Sequence, residues 1–307
     1  MVFNNVLEAI GHTPMIKLNR MNKKGSADVL VKFEGLNVGG SIKTRTAYNM
    51  IRHAEMEGKI HEGTIIVEPT SGNQGIGLAL VGAVKGYKTL IIMPDSVSKE
   101  RRFLVQHYGA EVYLVHDEGN IGKAIDECMQ TALKMAKENP NVFVPQQFEN
   151  KANPMAHKHH TGLEILEQVA GPIHGFCSGI GTGGTLTGTG RFLKAQNKNI
   201  RIIGVEPASS PLLTQNRAGA HKIQGIGANF VPANLDRTVY DEVMPVTDED
   251  AIETAKMLAK KEGFLTGISS GAALFAAMQL AKKEEFKDRI IVALLPDTGD
   301  RYLSVLN

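Results

Sequence analysis

Lys43 stands in Gly39-Gly40-Ser41-Ile42-Lys43-Thr44-Arg45, directly after the β-like run Ala27–Glu34. A lysine held among small residues where a strand gives way to a helix is a candidate covalent anchor, because its amine can condense with an aldehyde cofactor in a supporting pocket. A solvated lysine opening a helix looks the same locally, so other segments must decide. One is Glu68-Pro69-Thr70-Ser71-Gly72-Asn73-Gln74-Gly75, a strand end running into an apolar helix. Such a helix start offers unpaired N–H groups and a positive dipole end. Thr70, Ser71 and Asn73 add side-chain donors, and together they suit a carboxylate. The same residue types also make a plain N-cap turn.

A third segment, Ser178-Gly179-Ile180-Gly181-Thr182-Gly183-Gly184-Thr185-Leu186, holds four glycines in six positions. Backbone amides can converge there on a phosphate, with the Thr182 and Thr185 hydroxyls in support. Gly179-x-Gly181-x-x-Gly184 also matches a dinucleotide fingerprint, and Glu206 ends the next strand near the ~20-residue spacing of a ribose-binding acid. A nucleotide-dependent dehydrogenase is therefore a competitor. Against it, the loop lies mid-chain, Pro207 follows Glu206 directly, and Lys43 and the Thr70–Gln74 loop are left unused. The fourth segment, Gly267-Ile268-Ser269-Ser270-Gly271, is a tight turn opening an Ala-rich helix, and a simple cap explains it equally well.

The elements that must position these loops alternate. Short β-branched runs predict strands at Val29–Phe33, Thr64–Glu68, Thr89–Met93, Glu111–Val115, Gly175–Ser178, Ile200–Val205 and Arg289–Leu295. Helices are predicted at Thr44–Glu57, Gly75–Lys85, Ser98–Tyr108, Asn120–Lys137, Leu163–Val169, Leu186–Lys194, Asp248–Glu262 and Gly271–Lys283. Gly58, Gly86 and Gly109 are the C-terminal stops of the first three. Ser98 is a weak cap and Asp248 a better one. Alternation of β and α implies an α/β fold with parallel sheets covered by helices. A composition break at Glu149–Pro154 reads as a linker, giving lobes at 1–150 and 151–307 with ligands at the carboxyl ends of strands.

Composition excludes several classes. The 307 residues can bury a large core, and 42% hydrophobic with 21% charged residues is ordinary globular usage. A net charge of +2 gives no reason to expect nucleic acid or an anionic membrane as partner. No apolar run approaches the ~20 residues of a membrane span, and the opening residues predict no signal peptide. Cys128 and Cys177 are far apart with no CxxC spacing, which suits a reducing cytoplasm and no disulfide or zinc site. His157 and His160 lie three apart, but nothing complements them as metal ligands.

Taken together, these segments resemble the cysteine synthase (O-acetylserine sulfhydrylase) family of pyridoxal-phosphate enzymes of fold type II, over nearly the whole chain. The similar stretches are Gly11-His12-Thr13-Pro14, Gly39–Lys43, Thr70–Asn73, Pro145-Gln146-Gln147-Phe148, Gly181–Thr185, His221–Gly227 and Gly267–Gly271. The cystathionine β-synthase catalytic core shares them. The resemblance implies two α/β lobes with pyridoxal 5'-phosphate in the cleft between them, the segment to about Gly35 crossing to the other lobe. It implies that Lys43 holds the cofactor as a Schiff base and then removes the Cα proton. Gly181, Thr182, Gly183, Gly184 and Thr185 would bind the phosphate, and Asn73 the ring hydroxyl. Thr70, Ser71, Gly72 and Gln147 would hold the substrate carboxylate, with Gly225 close by. Ser269 would face the pyridine nitrogen. A neutral hydroxyl there leaves that nitrogen largely unprotonated, which favours β-elimination to an aminoacrylate and nucleophile addition over transamination.

The chain departs from the family pattern at Gln74 (usually Thr), Val38 (usually Pro), Thr44 (usually Asp) and Asn229 (usually Gly), and it stops at Asn307 without the usual longer tail. Gln74 and Asn229 would put amides near the substrate, or they are neutral drift. The expected reaction is O-acetylserine plus sulfide to cysteine. The alternative consumes cysteine, releases sulfide, and forms serine, lanthionine or cystathionine. A binding module that lost the cofactor is disfavoured by Lys43 and the phosphate loop. The resemblance also implies a homodimer, and a serine acetyltransferase partner against which Gln74 and Asn229 count.

Overall fold

A computed structural model describes residues 2–22, 25–97, 99–119 and 121–306. Its strands are β1 (Met15–Lys17), β2 (Asp28–Phe33), β3 (Ile65–Pro69), β4 (Lys88–Pro94), β5 (Glu111–Val115), β6 (Val142–Phe143), β7 (Ile173–Gly179), β8 (Arg201–Pro207), β9 (Glu242–Val246) and β10 (Ile290–Leu295). Its α-helices are α1 (Lys43–Met56), α2 (Asn73–Lys85), α3 (Lys99–His107), α4 (Ile121–Glu138), α5 (Ala152–Ala156), α6 (Gly162–Gln168), α7 (Gly184–Gln196), α8 (Leu212–Gln215), α9 (Asp248–Glu262), α10 (Ile268–Ala281) and α11 (Leu303–Leu306). Ser98 and Asn120, read above as the starts of α3 and α4, lie outside the described residues. No helix among the described residues is long and apolar enough to cross a membrane.

The chain divides into two compact units: Met1–Ile10 with Lys43–Ala152, and Gly11–Ile42 with Asn153–Asn307. The first unit is built on a parallel sheet in the order β5-β4-β3-β6. One face carries a core of Val67, Ile92, Val115 and Val144 under Cys128 and Ala132 of α4. α1 and α2 pack on each other, and Gly77 sets the distance: a Cβ there would lie 3.0 Å from both Ala47 Cβ and the Lys43 carbonyl oxygen. The start of α1 is therefore seated directly on α2.

The second unit has six strands in the order β1-β2-β10-β7-β8-β9, parallel except for the β1–β2 pair. Its central strands bury Val29, Val31, Cys177, Ile203, Ile291, Ala293 and Leu295 against Leu274, Ala277 and Leu280 of α10. The opposite face buries Phe176, Ile202, Val292 and Leu294 against Leu186 and Leu193 of α7. Helices on both faces explain why these strands read as continuous apolar runs.

One expectation changes. α9 is capped by Thr247, whose hydroxyl accepts the Asp250 amide at 3.0 Å, so Asp248 is already helical. The stretch Glu149–Pro154 contains the division between the units, at Ala152/Asn153, and is a turn followed at once by α5, where Asn150 Oδ1 accepts the Ala152 amide at 2.9 Å. Pro154 sits in the first turn of that helix, where a missing N–H costs nothing. α5 and α6 join through a π-helical turn at His157–Thr161.

Candidate active site

In the first unit, Lys43 opens α1 immediately after Ile42, whose amide is fixed in the second unit by the Pro296 carbonyl at 2.8 Å. The preceding turn needs glycine: Gly39 and Gly40 have φ of 76° and 71°, a region that costs other residues about 1–2 kcal/mol. Within the first unit the Thr46 hydroxyl lies 2.8 Å from both the Lys43 carbonyl and Gln74 Oε1. It thus ties the start of α1 to the start of α2. Gln74 is buried, and its Nε2 has no partner among the described residues. A hydroxyl carries one proton. If Thr46 gives it to Lys43, the Gln74 amide turns to donate, and its oxygen becomes the unsatisfied atom.

The Thr70–Gln74 loop is pinned at several points. The Thr70 amide donates to the Ile92 carbonyl at 2.9 Å. The Gly72 amide donates to Thr70 Oγ1 at 3.2 Å, and Arg101 Nη1 donates to the Ser71 carbonyl at 3.0 Å. Asn73 begins α2 after the N-cap Gly72, which provides no side-chain cap. Gln147, buried, belongs to a turn in which Gln146 has φ of 56°. The amides of Gln146 and Gln147 both donate to the buried Glu68 carboxylate, at 3.0 and 3.1 Å. Burial pushes Glu68 up to about 7, the two amide bonds acting against it.

In the second unit the Gly181–Thr185 loop leads into α7 through Gly183, left-handed at φ 78°, again with no side-chain cap. Thr182 Oγ1 accepts from Asn153 Nδ2 at 3.0 Å and from the Gly184 amide at 3.4 Å, which leaves its own proton to donate. Thr185 Oγ1 is 3.3 Å from His157 Nε2, while His157 Nδ1 meets Thr161 Oγ1 at 3.1 Å. The histidine singled out above as a weak metal candidate is thus engaged with two threonines, one of them in the glycine loop. The approach is close throughout: a Cβ on Gly184 would fall 2.0 Å from Asn153 Oδ1, and one on Gly181 would fall 2.3 Å from the Gly225 carbonyl oxygen.

Gly225 also links to the fourth segment, since a Cβ on it would be 3.7 Å from Ser269 Oγ. Gly181, Gly225 and Ser269 therefore gather in one place. Ser269 is buried in the first turn of α10, after the N-cap Gly267 and with no side-chain cap. The buried Thr266 Oγ1 and Ser270 Oγ on either side have no partner among the described residues. Asn229 has φ of 61°, and its Oδ1 accepts from Ser210 Oγ at 2.8 Å. Glu206, the acid that a dinucleotide would require, is committed elsewhere. Its carboxylate accepts the Leu213 and Thr214 amides at 2.8 and 3.1 Å and the Thr214 hydroxyl at 2.5 Å.

Asn153, His157, Glu68 and Arg101 are the residues that motif reading did not assign to the site. Their signal is three-dimensional, because each supports a loop far away in sequence. α2, α7 and α10 share a glycine N-cap and lack a capping side chain, whereas α9 has an ordinary threonine cap. Within each unit, a helix start with open amides, at α2 in the first and at α7 and α10 in the second, fits a polar, anionic group.

Comparison with known proteins is consistent with this geometry. The family described as pyridoxal-phosphate dependent enzyme matches residues 6–297, and the chain belongs to that family. A cysteine synthase of Staphylococcus aureus is 48% identical over 305 residues, covering 98% of this chain and 96% of that one. The crystal structure of a hydrogen sulfide-producing enzyme from Fusobacterium nucleatum superposes with a TM-score of 0.93 at 43% identity, covering 99% of each chain. That of an O-ureido-L-serine synthase does so with a TM-score of 0.93 at 38% identity, covering 100% of this chain and 95% of that one. Within the family, the chain is an enzyme of the cysteine synthase type.

Proposed function

We propose that Lys43, the Thr70–Gln74 loop with Gln147, the Gly181–Thr185 loop and Ser269 serve one pyridoxal phosphate and its amino-acid substrate. The reaction is β-replacement on a serine-type amino acid, O-acetylserine plus sulfide giving cysteine. The observation that carries the reading is the Gly181–Thr185 cradle, whose hydroxyls are held from behind by Asn153 and His157. Bound there, pyridoxal phosphate supplies an electron-withdrawing ring that makes an amino acid's Cα proton removable and lets its β-substituent depart. Lys43 Nζ would hold the cofactor through its aldehyde and would be the base positioned for the substrate's Cα proton. The α2 start, with Thr70, Ser71 and Asn73, binds the α-carboxylate through N–H and hydroxyl donors, and Gln147 adds an amide. Ser269 Oγ would be a neutral partner for the ring nitrogen.

A second reading, release of sulfide from cysteine with another nucleophile entering, is favoured by Gln74. Its buried amide keeps one polar atom unsatisfied beside the carboxylate loop, where the family usually has a smaller threonine. One experiment addresses both readings. Purified protein is mixed separately with O-acetylserine plus sulfide and with cysteine alone, and cysteine and sulfide are assayed. Cysteine formation only from the first supports cysteine synthesis; sulfide release from cysteine supports the second reading. Loss of the cofactor's visible band in Lys43→Ala is expected, and a band of unchanged position and intensity overturns the role of Lys43. We further propose a cytoplasmic homodimer, supported by ordinary composition and two free buried cysteines. Light scattering should return twice the 33.2 kDa chain mass.

A further inference from the structure

We infer that Glu68 is a positioning residue of the amino-acid site: its carboxylate shapes the turn that presents Gln147 to the substrate's carboxylate. The inference rests on the reading of Thr70–Asn73 and Gln147 as the carboxylate subsite. Glu68 closes β3 one residue before the end of the strand, and the chain runs from it through Pro69 into Thr70. It is 1% exposed and makes no ion pair among the described residues. Its two oxygens are used separately, Oε2 by the Gln146 amide and Oε1 by the Gln147 amide.

Here the two consecutive amides converge on one anion around a left-handed residue, Gln146, with φ of 56°. A non-glycine residue in that region is uncommon, and here the anion makes the conformation favourable. The same turn is closed by the Glu149 and Asn150 amides, both donating to the Gln146 carbonyl at 3.0 Å. Glu68 therefore joins two subsite segments: it lies on the strand that feeds Thr70, and its carboxylate holds the turn that carries Gln147.

The pattern calls for a carboxylate and no other group. A glutamine in its place would accept one amide but turn an N–H toward the other, leaving two donors opposed. The partners of Glu68 among the described residues are the uncharged Gln146 and Gln147 amides, and burial is what raises its pKa. Protonation of Glu68 removes an acceptor in the same way as the glutamine does. Burial places that event near neutrality, so the anchor weakens as the solution becomes mildly acidic.

The test uses the cofactor-loaded enzyme and L-alanine, which carries the α-carboxylate but no β-leaving group. Its dissociation constant is read from the change in the visible band. Glu68→Gln is expected to keep the band and raise the L-alanine constant about tenfold, the effect of losing one charge-assisted hydrogen bond. In a Gln147→Ala background the same substitution is expected to add less than about twofold, because the residues act in series. A merely structural role predicts equal effects in both backgrounds, and that result, or an unchanged constant in Glu68→Gln, overturns the inference. Should Glu68→Gln fail to fold, the wild-type enzyme and Gln147→Ala are titrated from pH 8.5 to 6. The wild type is expected to lose affinity more steeply through about pH 7, and parallel profiles overturn the inference. Absence of any visible band in the wild type would instead refute the cofactor reading.

Discussion

Gly181→Ala is predicted to release the cofactor while leaving the fold standing. The added Cβ would lie 2.3 Å from the Gly225 carbonyl oxygen and 3.4 Å from its carbon, roughly 1 Å inside ordinary contact with the oxygen. The obstacle is backbone, so no rotamer change relieves it. The Gly225–Gly227 turn cannot simply retreat: the Gly227 amide donates to the Ile180 carbonyl at 3.0 Å. His221 Nε2 bonds the Gly227 carbonyl at 2.9 Å, and Ile223 and Ile226 are in the core. The clash is therefore taken up by the glycine loop itself, at the overpacking cost of about 1–3 kcal/mol. Set against binding, that is about a 5- to 150-fold weaker hold on the cofactor.

The assay is exhaustive dialysis followed by titration with pyridoxal phosphate, read in the visible band, with thermal unfolding in parallel. Gly263→Ala is the control. Gly263 also has a positive φ, 82°, but a Cβ there meets nothing within 4 Å. Its cost of about 1 kcal/mol falls on folding alone, about 2 °C in Tm for a chain of this size. Equal cofactor loss in the two variants, or wild-type affinity in Gly181→Ala, would refute the steric reasoning.

Other outcomes follow from single observations. Glu68 has a folded pKa of about 7 against an ordinary 4.5, so the folded chain binds that proton more tightly. The stabilisation is full below about pH 4.5 and lost as pH rises through about 7, on the order of 3 kcal/mol in all. Urea melts should show the stability difference between wild type and Glu68→Gln changing over that window, and a constant difference would contradict it. Thr247→Ala removes the α9 cap and should cost about 1 kcal/mol of stability, with cofactor affinity unchanged by visible titration. Burial raises the Cys128 thiol to about 11 and pushes Cys177 up further. An aromatic disulfide reagent at pH 8 should therefore label neither until the chain is denatured.

The strands missing from the sequence reading all lie at sheet edges, although one edge, β5, is legible as a five-residue β-branched and aromatic run. Central strands such as β3, β7 and β10 are covered on both faces, so they appear as uninterrupted apolar runs. β1, β6 and β9 were not foreseen, and each is an edge of its sheet. β1 and β6 have only three and two residues. β9 carries Pro245, which an edge strand tolerates because one side needs no N–H donor. α5 was hidden for a related reason: Asn153-Pro154 looks like a breaker, yet in the first turn of a helix it breaks nothing. The site shows the same division. The residues that would touch ligands announce themselves by type and local spacing. Their supports do not, because Glu68 and Gln146 are 78 positions apart and Asn153 and Thr182 are 29 apart.

The helix starts explain why the loops themselves were legible at all. A helix whose first amides must be satisfied by the protein recruits a side chain to do so, as α9 does with Thr247. α2, α7 and α10 each put glycine, which has no side-chain acceptor, at that position, and at α7 the Thr182 hydroxyl accepts the first helical amide at 3.4 Å. Glycine is a tolerated cap but supplies no acceptor, so the remaining amides at those starts are open to water or to a ligand. Under the proposed binding, such open helix starts are what a ligand site leaves visible in sequence. It also explains why Asn153 and His157 matter: with no cap to brace it, the α7 loop depends on them to hold Thr182 and Thr185 in place before any ligand arrives.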